Sequence, residues 1–434
     1  MDGAPNIASQ PRRAIVASAQ PFWRRAAMRL LVVCAPAAGA ATIVPDGTSS
    51  LPASGPQATI TCPVAAIAIS PGASIQTAVD RHPPGTIFCV KAGIHAISSH
   101  ITPKSGDVFI GEYGAILDGG AWTTADPDEA AFRAHNQDID DVTIRNLVIR
   151  HMPQKGIHAL HWASDRWTIE NNELTATRTA ISAPNQSVVR ANNIHHNTSG
   201  GYGAYRVVDV IFEHNEIAYN GGEQKIVGAT DVSFRDNFVH HNAADGIWYD
   251  TDNTGSLIEG NRVEDNGRDG ISYEVSARGV IRRNTVRRSA GSGIFIATSK
   301  NVEIAENALA DNFRGIQYFL NCDAVGKGQV GFDLAENDAH GNTVIVSGGR
   351  GAYANGFAYV RSCPSAQIAP YVNGSKRLLF RDTRYVVPTR GARYWFWGPG
   401  GLSSLQSWFG AGSGLKSWKE WQALGHDTTG SVAE

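Results

Sequence analysis

The residues best suited to acid–base chemistry follow a repeated glycine. Four segments share this pattern: Gly246-Ile247-Trp248-Tyr249-Asp250, Gly270-Ile271-Ser272-Tyr273-Glu274, Gly293-Ile294-Phe295-Ile296-Ala297 and Gly315-Ile316-Gln317-Tyr318-Phe319. Successive side chains of an extended strand point to opposite faces, so burying Ile247 and Tyr249 exposes Trp248 and Asp250. The same rule exposes Ser272 with Glu274 and Phe295 with Ala297. If these segments lie side by side at the ordinary strand spacing, the Asp250 and Glu274 carboxyls sit roughly 5 Å apart. Two carboxylates that close repel, which raises the pKa of one and leaves the other charged. Glycoside hydrolysis uses that division, a protonated acid for the leaving oxygen and a carboxylate to attack or stabilise the sugar. A short separation favours retention, because inverting sites need about 6.5 to 9.5 Å to admit a water. Asp245, Asp252 and Asp269 add acids nearby, and Trp248 and Phe295 offer rings for the apolar faces of a sugar. Each has a plainer reading too. Asp245 and Asp269 precede the glycine and would cap a turn, Asp252 opens a loop, and outward acids on a strand are often only solvated surface. Clustered carboxylates would also suit Ca²⁺; no other cofactor or metal is expected.

Positioning such residues requires strands that stack at a fixed interval. Phrases centred on Asn172, Asn193, Asn215, Asn237, Asn261, Asn284 and Asn307 recur every 21 to 24 residues, the period of a solenoid coil. The leucine consensus of leucine-rich repeats is absent. Stretches such as Val232-Ser233-Phe234-Arg235 and Val280-Ile281-Arg282 alternate inward apolar with outward polar residues. The repeated Asn fits a left-handed turn position with bonds to the Asn above and below. Ser74 would cap a short amphipathic helix running to Asp80 that covers the first coil, whose free edge would otherwise invite aggregation. The fold expected is all-β, a right-handed single-stranded parallel β-helix with a short N-terminal capping helix and a C-terminal cap. Residues 41–89 would form the N-terminal segment and helix, 90–345 the coils, and 346–434 further strands and a tail rich in tryptophan (Trp395, Trp397, Trp408, Trp418, Trp421) packing on the helix.

From about Asp107 to Thr343 the chain resembles the right-handed parallel β-helix repeat proteins, the superfamily that includes pectate lyases and many glycosidases. The resemblance is specific for fold and says little of activity. A lyase of this fold needs a base beside a group that neutralises a uronate; Arg206, Lys225 and Arg314 could reach the same face, with His158 and His161 on earlier coils. The local signatures of pectate lyases, mannuronan epimerases and polygalacturonases are absent, and Asp140-Asp141 sits before a strand where turn capping explains it. The leading reading is a secreted glycoside hydrolase acting on a polysaccharide or oligosaccharide. The alternatives are a polysaccharide lyase and a non-catalytic glycan-binding or cell-surface solenoid.

The bulk properties agree. Of 434 residues, 42% are hydrophobic, only 18% are charged and 46 are glycine, a balance expected of a turn-rich β-protein. A net charge of −2 without a basic cluster leaves no footprint for nucleic acid or an anionic membrane surface. Residues 1–40 read as an export signal: Arg24, Arg25 and Arg29 precede the apolar run Leu30 to Ala38, with small residues at Ala38-Gly39-Ala40. No other apolar run reaches the roughly 18 to 20 residues that cross a bilayer. Cys34 falls inside the signal, leaving Cys62, Cys89, Cys322 and Cys363; sequence order favours Cys62 with Cys89 and Cys322 with Cys363 among three possible pairings. His195-His196 and His240-His241, two coils apart, fit turn positions rather than a metal site.

Overall fold

A computed structural model describes residues 54–134, 137–159, 164–347, 353–400 and 414–434, all within one compact unit, Thr48–Glu434. The export signal, Cys34, His161 and Trp408 lie outside the described residues. The unit is a right-handed parallel β-solenoid of three sheets with 13, 13 and 12 strands. One coil contributes Ser233–Arg235 to the first sheet, Phe238–His240 to the second and Ile247–Asp250 to the third. Strands of three or four residues suffice because each bonds to the coils on both sides, so backbone groups are satisfied by stacking rather than by strand length. The interior is a continuous apolar column in which Ile247, Ile271, Ile294 and Ile316, Tyr249, Tyr273 and Tyr318 are fully buried.

Two details of the coil differ from the sequence reading. The asparagine ladder runs through Asn172, Asn192, Asn215, Asn237, Asn261, Asn284, Asn307 and Asn342, so Asn192 rather than Asn193 holds its place. Asn193 begins the next strand and pairs with Glu173 and Glu216. The left-handed corner belongs to the residue before each ladder Asn, for instance Asp236 (φ 54°) and Arg283 (φ 54°). That leaves the buried amide free to bond along the stack. A second ladder, Asn197, Asn220, Asn242 and Asn266, lines the next corner. The aligned glycines serve close packing: a Cβ on Gly246 would lie 2.7 Å from the carbonyl oxygen of Gly270, and one on Gly270 would lie 2.8 Å from that of Gly293.

Helix Ile75–Arg81, capped by Ser74, buries Ile75 and Val79 at the N-terminal end. The sheets extend beyond residues 90–345, taking in Ile67–Ile69 at one end and Tyr353–Val360, Leu378–Arg381 and Ser431–Ala433 at the other. Trp395 and Trp421 are wholly buried in the core of these last coils. Disulfides join Cys62 to Cys89 and Cys322 to Cys363. The second closes the insertion that breaks the period after Asn307.

Candidate active site

The register of the third sheet places Asp250 directly opposite Glu274, with Trp248 opposite Ser272. Both carboxyls stand on the outer wall. Lys225, from the preceding coil, donates its Nζ to Asp250 Oδ2 at 3.1 Å. Thr251 Oγ1 donates to the other Asp250 oxygen at 2.9 Å. Among the described residues Glu274 makes no ion pair. Burial pushes its pKa up to about 8, reinforced by the negative charges of Asp245, Asp250 and Asp269, with Arg268 opposing. The pair is thus divided into an ion-paired carboxylate and a carboxyl that keeps its proton at neutral pH.

The acids before the glycines are not surface turn caps. Asp245 is buried (1% exposed) and its Oδ1 accepts the Ser272 hydroxyl at 2.8 Å. Its Oδ2 lies 3.3 Å from Arg268 Nε. Asp269 is half-buried and accepts the Ser292 amide. Burial raises both carboxyls; the charge of Asp269 adds to the effect on Asp245, whereas Arg314 and Ser292 pull Asp269 back. Two of the expected subsite residues stand elsewhere. Trp248 is buried (6% exposed), because Lys225 Nζ at 4.6 Å and the Arg268 guanidinium at 5.1 Å cover its ring. It is a pedestal for cations, not an open platform. Asp252 takes the amides of Gln329 and Val330 on Oδ1 at 2.6 and 3.1 Å, so it ties down the disulfide-closed insertion. Phe295 is half-buried beside the acids, its ring 5.8 Å from that of Phe319.

Of the cations that could serve as a base, Lys225 joins the site, and Arg314 acts on Asp269. Arg206 sits at a left-handed corner over Tyr205, and His158 meets Asp128 and Lys155 coils away. Asp140 and Asp141 pair with Arg166. Arg268 escaped the sequence reading; its one signal was its place just before Asp269 at a corner. Among the described residues, the only three metal-ligand side chains with donor atoms all within 4.8 Å are Cys62, Cys89 and Glu112, and the two sulfurs there are bonded to each other. The wall acids do not converge in that way.

A parallel solenoid with its polar site on one sheet defines the class, and the chain belongs to the family described as "Right handed beta helix region", which matches residues 131–251 and 205–359, together more than half its length. No curated protein matches the sequence. Among solved structures, the A-module of mannuronan C-5 epimerase AlgE4 from Azotobacter vinelandii is 15% identical with a TM-score of 0.54, covering 83% of this chain and 92% of that one. The catalytic unit of a GH87 α-1,3-glucanase from Streptomyces thermodiastaticus is 12% identical with a TM-score of 0.58, covering 88% and 70%. XylC in complex with xylose is 13% identical with a TM-score of 0.55, covering 75% and 82%. At these identities the likeness is one of fold. Among the described residues, no helix is long and apolar enough to cross a membrane.

Proposed function

We infer that this protein is an exported carbohydrate-active enzyme, a glycoside hydrolase whose catalytic pair is Asp250 and Glu274. The observation that carries the reading is the unequal treatment of two carboxyls in direct register: Asp250 is paired with Lys225, and Glu274 is held protonated. Glu274 donates its proton to the glycosidic oxygen as the bond to the anomeric carbon breaks. Asp250 attacks that carbon, and the strand spacing of about 4.8 Å suits this retaining geometry. Glu274, now a carboxylate, takes a proton from water, which hydrolyses the glycosyl ester on Asp250. Phe295 supplies an apolar ring at the edge of the site, and Lys225 and Arg268 border it with positive charge. The solved structures of the same fold support the substrate class, since their names refer to α-1,3-glucan, xylose and mannuronan. The two disulfides fit export to an oxidising compartment.

The purified protein, incubated with α-1,3-glucan, xylan, mannuronan and a wider set of plant, algal and bacterial glycans, should release reducing ends from at least one. Asp250→Asn and Glu274→Gln should each lower that rate by about 10² to 10⁴ while leaving binding of the same glycan largely intact. A product absorbing in the ultraviolet with no water consumed would instead identify a lyase, whose uronate would lie against Lys225 and Arg268. Binding without turnover of any glycan would leave a glycan-binding solenoid.

A further inference from the structure

The outer wall of the third sheet changes character at the acid pair. The outward column that contains the pair runs, by register, Tyr205, Val227, Asp250, Glu274, Ala297, Phe319 and Ala358. Tyr205 is 46% exposed, and Val227, Asp250 and Glu274 are partly exposed, whereas Ala297, Phe319 and Ala358 fall to 6%, 1% and 0%. The neighbouring outward column, Trp248, Ser272, Phe295 and Gln317, is covered on both sides of the pair, with Trp248 at 6%, Ser272 at 0% and Gln317 at 1% exposed and Phe295 half-buried, so the change is confined to the column that carries the acids.

In that column the residues past Glu274 are covered because they belong to a second apolar cluster, separate from the interior core: Ala297, Phe319, Tyr353, Ala358 and Phe396, with Phe295, Val360 and Leu415 against it. Leu415 belongs to a short antiparallel strand on the last member of the sheet. Val360 also packs on the Cys322–Cys363 disulfide cluster, which braces the far side. A sugar chain lying along the wall can therefore approach the acids from the Tyr205 side. Past Glu274 the same column is apolar and packed, beginning with Ala297 one strand spacing on, about 4.8 Å, and offers no polar group to a sugar.

Resting on the hydrolase reading above, we propose that the enzyme trims its substrate from a chain end: the acids stand at the closed end of a one-sided groove, and one terminal unit of fixed size is accommodated between them and the apolar barrier. An enzyme with a groove open at both ends would cut at interior bonds. The two modes differ from the first turnovers. With the full-length protein and whichever polymer from the glycan set it cleaves, mass spectrometry of early time points should find one short product accounting for essentially all new reducing ends. Solution viscosity should fall only in step with the mass removed. A ladder of oligosaccharides, or an early collapse of viscosity, would overturn chain-end action and leave the hydrolase reading standing. Absence of any product would remove both.

Discussion

Glu274 keeps its proton because of what surrounds it: burial first, then the charges of Asp245, Asp250 and Asp269. A group that acts as general acid works only while protonated, so kcat/KM should fall as pH rises through about 8. Replacing Asp245 by Asn removes the strongest of the charges that raise Glu274, and this alkaline limb should then move to lower pH. Rates that climb between pH 8 and 9 in the wild type would assign Glu274 the role of base instead. The burial of Trp248 shows where residue-level reasoning stops. Alternation correctly turned its side chain outward, but an outward side chain can be roofed by its neighbours, here Lys225 and Arg268 from other coils.

At the level of the coil, the asparagine ladder sets the stacking on which the register of Asp250 and Glu274 depends. Asn261 Nδ2 donates to the Phe234 carbonyl and to Asn284, each at 2.9 Å, and its Oδ1 accepts from the Asn237 amide at 3.0 Å. Asn261→Ala strands buried partners, at a cost of about 1–3 kcal/mol for each. Asn193→Ala, one residue off the corresponding ladder position, should cost far less. Equal losses in a denaturant titration would contradict the ladder assignment. The period of the ladder was legible in the sequence. Its phase at the doublet Asn192-Asn193 was not, because two adjacent Asn offer the same chemistry and only backbone stacking chooses between them.

For the whole molecule, the raised acids make stability fall at mildly alkaline pH. Glu274 has a folded pKa of about 8 against an ordinary 4.5, so the folded state holds the proton more tightly. Its contribution is full below 4.5 and is lost as pH rises through 8. Buried His426, lowered to about 4 from 6.5, has the opposite sign, but its effect is complete by pH 6.5. Between pH 6.5 and 8.5 the wild type should therefore lose about 2 kcal/mol through Glu274, with a lower Tm, and Glu274→Gln should recover most of it. A Tm that is flat or rises over that interval would refute the assignment.

The repeat period and the inward and outward alternation follow from local rules, and the sequence alone settled them: side-chain direction has period two along a strand, and a coil of constant length repeats its corners. That logic also brought Asp250 beside Glu274. Chain order favoured the disulfide pairs among three possibilities, and the structure decided them. What covers the wall, which cation each acid meets and where the groove closes are set between coils, through Lys225, Arg268, the insertion held by Asp252 and the apolar cluster around Phe319. Those contacts join residues far apart in the chain across irregular corners, where no periodicity carries the information, so only the tertiary structure decided them.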